Sequence, residues 1–259
     1  MSFRAFNLSE ISHVLLIESA DGLILIDSGL GLEDFVHPNW VEWLAFRLNG
    51  VTTTPDESPI QRIKALGLDP REVRDIVPTH LHFDHIGGAV DFPWATVHVW
   101  DVEYQAGLNP KGWKSIFGYI PERLDNQPNI KLYSLIGDRW FGLEAIPVIR
   151  RADVEIWSVP LVGHSPGMCG IAIKTDTGWL WHCGDAYART QQVDPNCSGT
   201  AFPKFASGIE SALFPVEARR KIKMILAEHG DDVRAICSHD SEMFFRMTKS
   251  QVDNETHRL

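Results

Sequence analysis

The run Thr79-His80-Leu81-His82-Phe83-Asp84-His85-Ile86-Gly87-Gly88 constrains this chain more than any other stretch. Three histidines and one aspartate fall within six positions, directly after Asp75-Ile76-Val77-Pro78, which reads as a buried strand. Alternate side chains of extended backbone share a side, so His80 and His82 present their rings together. Asp84 and His85 come where the chain must turn and approach from another direction. Gly87-Gly88 lets the backbone turn sharply and pack closely. Imidazoles with a carboxylate suit zinc, with manganese or iron as substitutes. A solvated His-rich loop or a tag is the bland alternative, and the interleaved Leu81, Phe83 and Ile86 argue against it.

His-x-His-x-Asp-His at 80–85 resembles the metal-binding signature of the metallo-β-lactamase superfamily, which draws its remaining ligands from three later loops. Counterparts stand in order. A strand over 152–160 delivers Gly163-His164-Ser165-Pro166-Gly167, with Val162 where the family more often has proline. A hairpin, Ile171–Lys174 with Trp179–Cys183, ends in Gly184-Asp185, and a strand Val233–Cys237 presents Ser238-His239-Asp240. The resemblance implies an α/β fold, an αββα four-layer sandwich of two mixed sheets with helices on the outer faces. It would be a single domain over 1–259 with a loop-rich insertion at about 101–151. It further implies that His80, His82 and His164 hold one Zn2+, that Asp84, His85 and His239 hold a second, and that Asp185 bridges them. Such a pair lowers the pKa of a shared water towards ~7, so that hydroxide attacks a carbonyl. Asp84 would steer that hydroxide by accepting its hydrogen bond.

Composition bears on what the site acts upon. The chain has 259 residues, 44% hydrophobic and 22% charged, enough for one large domain. A net charge of −10 speaks against nucleic acid, which needs a basic stripe. The short run Arg219-Arg220-Lys221 reads as the solvated face of a helix. Cys169, Cys183, Cys197 and Cys237 are scattered, as reduced thiols of a cytoplasmic protein would be. Met1–Asn7 lacks the apolar core of a signal peptide, and no segment approaches the ~20 apolar residues that span a membrane.

Elsewhere the reading is coarser. Residues 13–28 form a hairpin turned at Ala20-Asp21-Gly22, with His13 a strand-borne core histidine. Asp27 at its end either orients a metal-bound histidine or caps a turn. Residues 30–57 read as irregular, with an amphipathic helix around Trp40 and Trp43, and Ser58 caps a helix that Gly67 ends. His98, in a strand Ala95–Trp100, and His182, beside the Asp185 corner, read as packing residues. Glu217–His229 is an amphipathic helix, and the last residues are polar and frayed. Between 101 and 151, Tyr104, Trp113, Phe117, Tyr119, Tyr133, Trp140 and Phe141 make either a satellite core or the wall of an apolar pocket.

Within the superfamily the pattern fits lactonases of the acyl-homoserine-lactone type. Zinc β-lactamases carry cysteine at the second metal or lack the bridging carboxylate. Thioester hydrolases carry a helical domain after the last ligand, where only 20 residues follow His239. The lactonases place a tyrosine after the bridging aspartate. Tyr187 matches it one position too close, as a substrate contact or a packing tyrosine. The expected partner is a small molecule with an apolar or acyl portion lying on Trp40, Trp113 or Phe117. The Trp-rich surface candidates leave a homodimer open. A mononuclear iron persulfide dioxygenase, or a thioester or β-lactam hydrolase of the same superfamily, is the alternative.

Overall fold

Strand β2 (Gly22–Ile26) divides its side chains between two cores. Leu23 and Leu25 pack with Ile63, Ile86 and Phe92, while Ile24 and Ile26 pack with Ile156, Ile171 and Ile173. A period of two with both faces apolar is what a strand covered on each side requires. The computed structural model describes residues 11–49, 54–112, 118–125, 127, 129–193, 215–245 and 247.

The first sheet has the order β1-β2-β3-β4-β5. β1 (Leu15–Ser19) is antiparallel to β2, whereas β3 (Val73–Val77), β4 (Thr96–Trp100) and β5 (Ile130–Tyr133) continue in parallel. A small hairpin, β6 (Arg139–Trp140) and β7 (Leu143–Glu144), then leads into β8 (Ile146–Arg150). β8, β9 (Glu155–Pro160), β10 (Cys169–Thr175), β11 (Gly178–His182) and β12 (Val233–Ile236) make the second sheet, in the order β12-β11-β10-β9-β8. On β10, Ile171 and Ile173 face the first sheet, while Ala172 faces the layer that holds Trp181 and the Ala218, Ile222 and Ile225 face of the helix Val216–His229. A one-residue slip would exchange those isoleucines for Ala172 and Lys174, at about 1.5–3 kcal/mol for each one displaced. The αββα sandwich is therefore the observed fold.

Several local expectations change. Residues 30–57 hold two helices, Leu32–Val36 and Trp40–Asn49. The stretch 101–151 supplies the helix Asp101–Leu108 and strands β5 to β8, so both sheets draw on it. Trp140, Tyr119 and Tyr133 join the cores; Trp113 and Phe117 lie outside the described residues, as do Cys197 and the chain ends 1–10 and 248–259. His13 precedes β1 rather than lying in it, buried with Nδ1 3.0 Å from the Cys237 carbonyl. Ser58 precedes the helix Pro59–Ala65 as expected, but its hydroxyl donates to the Pro55 carbonyl. His98 is a satisfied core histidine between Asp75 (2.8 Å) and Tyr133 (2.7 Å). Arg220 is exposed and pairs with Glu217, so the basic run is solvated there. Among the described residues no helix is long and apolar enough to cross a membrane.

Gly88 shows why the site loop carries glycine. A Cβ there would lie 2.1 Å from the Ser28 carbonyl oxygen, so close packing is the requirement. Gly88→Ala is expected to lower stability by about 1–3 kcal/mol, as overpacking does, read as a reduced urea midpoint.

Candidate metal centre

Five strand ends deliver the site. Asp27 follows β2, His80 follows β3, His164 lies in the loop from β9 to β10, Asp185 follows β11 and His239 follows β12. β9 and β11 both run antiparallel to β10, and β12 is parallel to β11, so these three reach the same edge of the sheet. The two sheets are joined beside the site by Cys169 N donating to the Thr79 carbonyl at 2.9 Å. Asp84 and His85 lie on one helical turn, Phe83–Ile86, rather than in an open loop.

All seven ligand candidates meet. His80, His82 and His164 form one group, Asp84, His85 and His239 another, and Asp185 joins His80 and His85 between them. His164 Nε2 is 3.1 Å from His82 Nδ1. Asp84 Oδ2 lies 3.4 Å from His85 Nε2 and 3.5 Å from His239 Nε2. Asp185 turns Oδ1 to His239 at 3.3 Å and His85 at 3.5 Å, and Oδ2 to His164 at 3.4 Å. Donors around a tetrahedral cation with 2.0–2.1 Å bonds stand about 3.3 Å apart. Among the described residues, His80 Nε2, His85 Nε2 and Asp185 Oδ1 are buried without a hydrogen-bond partner, a costly arrangement that coordination would relieve. The donor set therefore fits divalent metal.

The far sides of the rings are held. Asp27 Oδ2 sits 3.0 Å from His85 Nδ1, and its Oδ1 accepts from Thr79 N at 2.6 Å. Both readings of Asp27 find contacts: one oxygen faces the candidate ligand His85 and the other caps the backbone at Thr79. His80 Nδ1 is 3.1 Å from the Thr79 hydroxyl, and His239 Nδ1 is 2.7 Å from the Ile11 carbonyl. Sequence reasoning could not find Ile11, because a carbonyl acceptor carries no side-chain signal. It also passed over Glu103, a buried carboxylate behind the loops of His82 and His164, which lay in a stretch read as irregular.

Electrostatics divide the imidazoles. Burial, then the neighbouring imidazoles, push His80 well below the ordinary histidine range, and burial with His164 takes His82 to about 3. Burial also opposes charge on His85 and His239, but there it is outweighed. Asp84 and Asp185 raise His85 well above its usual value, and Asp185 with Asp84 takes His239 to about 9. Burial opposes ionisation of both carboxylates too; His85 and His239 nevertheless hold Asp84 and Asp185 low.

Two neighbours of Asp185 are not ligands. His182 is fully buried and brought to about 4 by burial, as a packing residue. Tyr187 is the correction. The tight turn Gly184–Ala186 aims Asp185 at the site but sends the Tyr187 ring into the core of the second sheet, 0% exposed, where its hydroxyl has no hydrogen-bond partner among the described residues. It has no surface to offer a substrate.

A cavity of about 540 Å³ is lined by Trp40, Val41, Tyr119 and Ile120 together with the polar Asn39, Glu122 and Arg123, and Tyr119 is the lining residue that touches a metal candidate. The Tyr119 ring stands 4.8 Å from that of His82, and Trp40 is 64% exposed.

Residues 10–168 match the family model of the metallo-beta-lactamase superfamily. The chain is 30% identical over 246 residues to the N-acyl homoserine lactonase AttM of Rhizobium radiobacter, covering 91% of this chain and 84% of that protein. It is 28% identical over 249 residues to a probable metallo-hydrolase of Mycobacterium tuberculosis, covering 94% and 79%. Among solved structures, a mutant of Bacillus thuringiensis AiiA with N-decanoyl-L-homoserine bound at its active site aligns with a TM-score of 0.64 at 20% identity, covering 89% of this chain and 82% of that one. AidC, a dizinc quorum-quenching lactonase in complex with a product, aligns at 0.57 and 19% identity, covering 90% and 73%. At such identities the structural likeness speaks to the fold.

Proposed function

The chain belongs to the metallo-beta-lactamase superfamily and is a metallo-hydrolase, and from that premise we propose that it opens lactones or cleaves carboxylic esters with two zinc ions, N-acyl homoserine lactones being the first substrate class to test. The observation that carries the dinuclear reading is the Asp185 carboxylate, whose oxygens face different imidazoles on its two sides. His80, His82 and His164 would hold one cation and Asp84, His85 and His239 the other. Bound there, the pair would lower the pKa of a water towards ~7 and polarise a carbonyl.

The chain's own residues do the rest. Asp84, kept ionised, accepts the hydrogen bond of the attacking water and so orients it. Asp27 and the Ile11 carbonyl keep His85 and His239 turned inward. No protein nucleophile is required: Cys169, Cys183 and Cys237 are buried, and burial takes the Cys169 thiol to about 12. The Trp40–Tyr119 cavity supplies apolar surface for an acyl portion, and with Tyr187 in the core no tyrosine of the Asp185 loop reads the ring.

The test couples metal analysis with a pH-stat assay on short- and long-chain acyl lactones, with a phenyl ester, a thioester, a β-lactam and a persulfide alongside. Two zinc ions per chain with lactone opening that depends on acyl length is the expected result. One iron per chain with persulfide oxidation would replace hydrolysis with the dioxygenase reading.

A further inference from the structure

We infer that Glu103 is the positioning residue for the three-histidine half of the centre, an inference that rests on the dinuclear reading. Glu103 lies on the helix Asp101–Leu108 and is 1% exposed. Its Oε1 accepts from Leu81 N at 2.9 Å and from the Tyr119 hydroxyl at 2.8 Å. Its Oε2 accepts from the Ser165 hydroxyl at 2.7 Å and from Gly167 N at 2.8 Å. Four donors use the whole accepting capacity of a carboxylate.

The identity of those donors gives the role. Leu81 separates His80 from His82, Ser165 follows His164, and the Tyr119 ring stands against His82. One carboxylate therefore ties together the segments that carry all three histidines of one group. The loop rests directly on the helix: a Cβ on Gly167 would lie 2.4 Å from Glu103 N. The other group has different supports, Asp27 behind His85 and the Ile11 carbonyl behind His239. Asp27 also reaches His80 through Thr79, but Glu103 is the side chain that ties the Leu81, Tyr119 and Ser165 segments together, and it touches no ligand atom.

Glu103→Gln tests this. In either orientation the amide sets its own N–H against Leu81 N or Gly167 N, and a backbone N–H cannot reverse as a hydroxyl can. The readout is zinc bound per chain under graded chelator competition, with circular dichroism to verify the fold. One of the two zinc ions is expected to bind about 10- to 100-fold more weakly while the other keeps its affinity. The loss should be additive with that of His239→Ala and not with that of His164→Ala, since coupled residues break additivity. Ser165→Ala, which deletes one bond and keeps the carboxylate, should weaken the same zinc less and serves if the glutamine variant does not fold. Folded variants that lose both ions alike, or neither, would overturn the inference. A parent chain that takes up fewer than two zinc ions would instead remove the dinuclear reading on which it stands.

Discussion

Asp84→Asn is expected to lower kcat/KM on the preferred ester or lactone by about 10²–10⁴-fold, the range for loss of a positioned acid–base group. The half-buried carboxylate stands 3.4 Å from His85 Nε2 and 3.5 Å from His239 Nε2, and those imidazoles hold it ionised. Asparagine keeps the shape but carries no charge, so it is a poorer ligand for a cation shared with those imidazoles and a poorer acceptor for the proton of an attacking water. Steady-state kinetics and zinc content measured on one preparation separate the two effects. Full activity with full zinc in the variant would take Asp84 out of the mechanism.

Stripping the metal should be the larger effect on stability. A ligand present at about 1,000 times its Kd stabilises by about 4 kcal/mol, which for a chain near this length is about 8–16 °C in Tm. The size of the gap depends on pH in a direction the site dictates. His239 is raised from 6.5 to about 9, and His85 is raised too, so both are protonated in the metal-free chain at pH 7. A raised pKa contributes stability that is fully present below 6.5 and, for His239, is lost as pH climbs through about 9. A metal ion held by His85 and His239 would have to displace those protons. Raising the pH from about 7 to about 9 therefore weakens the stripped chain and strengthens zinc binding, and the difference in Tm between loaded and stripped protein should widen. A gap that narrows over that interval would contradict the assignment of His85 and His239 as ligands.

Much of the site is legible along the chain because its parts are local. His80 and His82 share a side by backbone period, and Asp84 and His85 follow within one helical turn. His164, Asp185 and His239 stand at ends of strands whose apolar alternation marks them in the sequence, and the sheets bring them together. The αββα layering is what the resemblance implies, and strands such as β2 and β10, apolar on both faces, agree with it. The irregular reading of 101–151 missed β5 and β8, the edge strands of the two sheets, since short strands at sheet edges carry too few residues to show a period.

The sequence by itself thus determined the ligand-bearing motifs, because their spacing is a property of neighbouring residues, and through the resemblance those motifs carry it pointed to the family and the layered fold. Only the tertiary structure decided what stands behind them. The Ile11 carbonyl behind His239 is 228 positions away in the chain, and the Glu103 carboxylate reaches Gly167 across 64. Tyr187 faces the core instead of the candidate metal centre because a single turn, Gly184–Ala186, separates its direction from that of Asp185. Contacts of that range are set by how two sheets and their helices pack, and side-chain direction after a turn is set by its dihedrals. Neither is written in residue spacing.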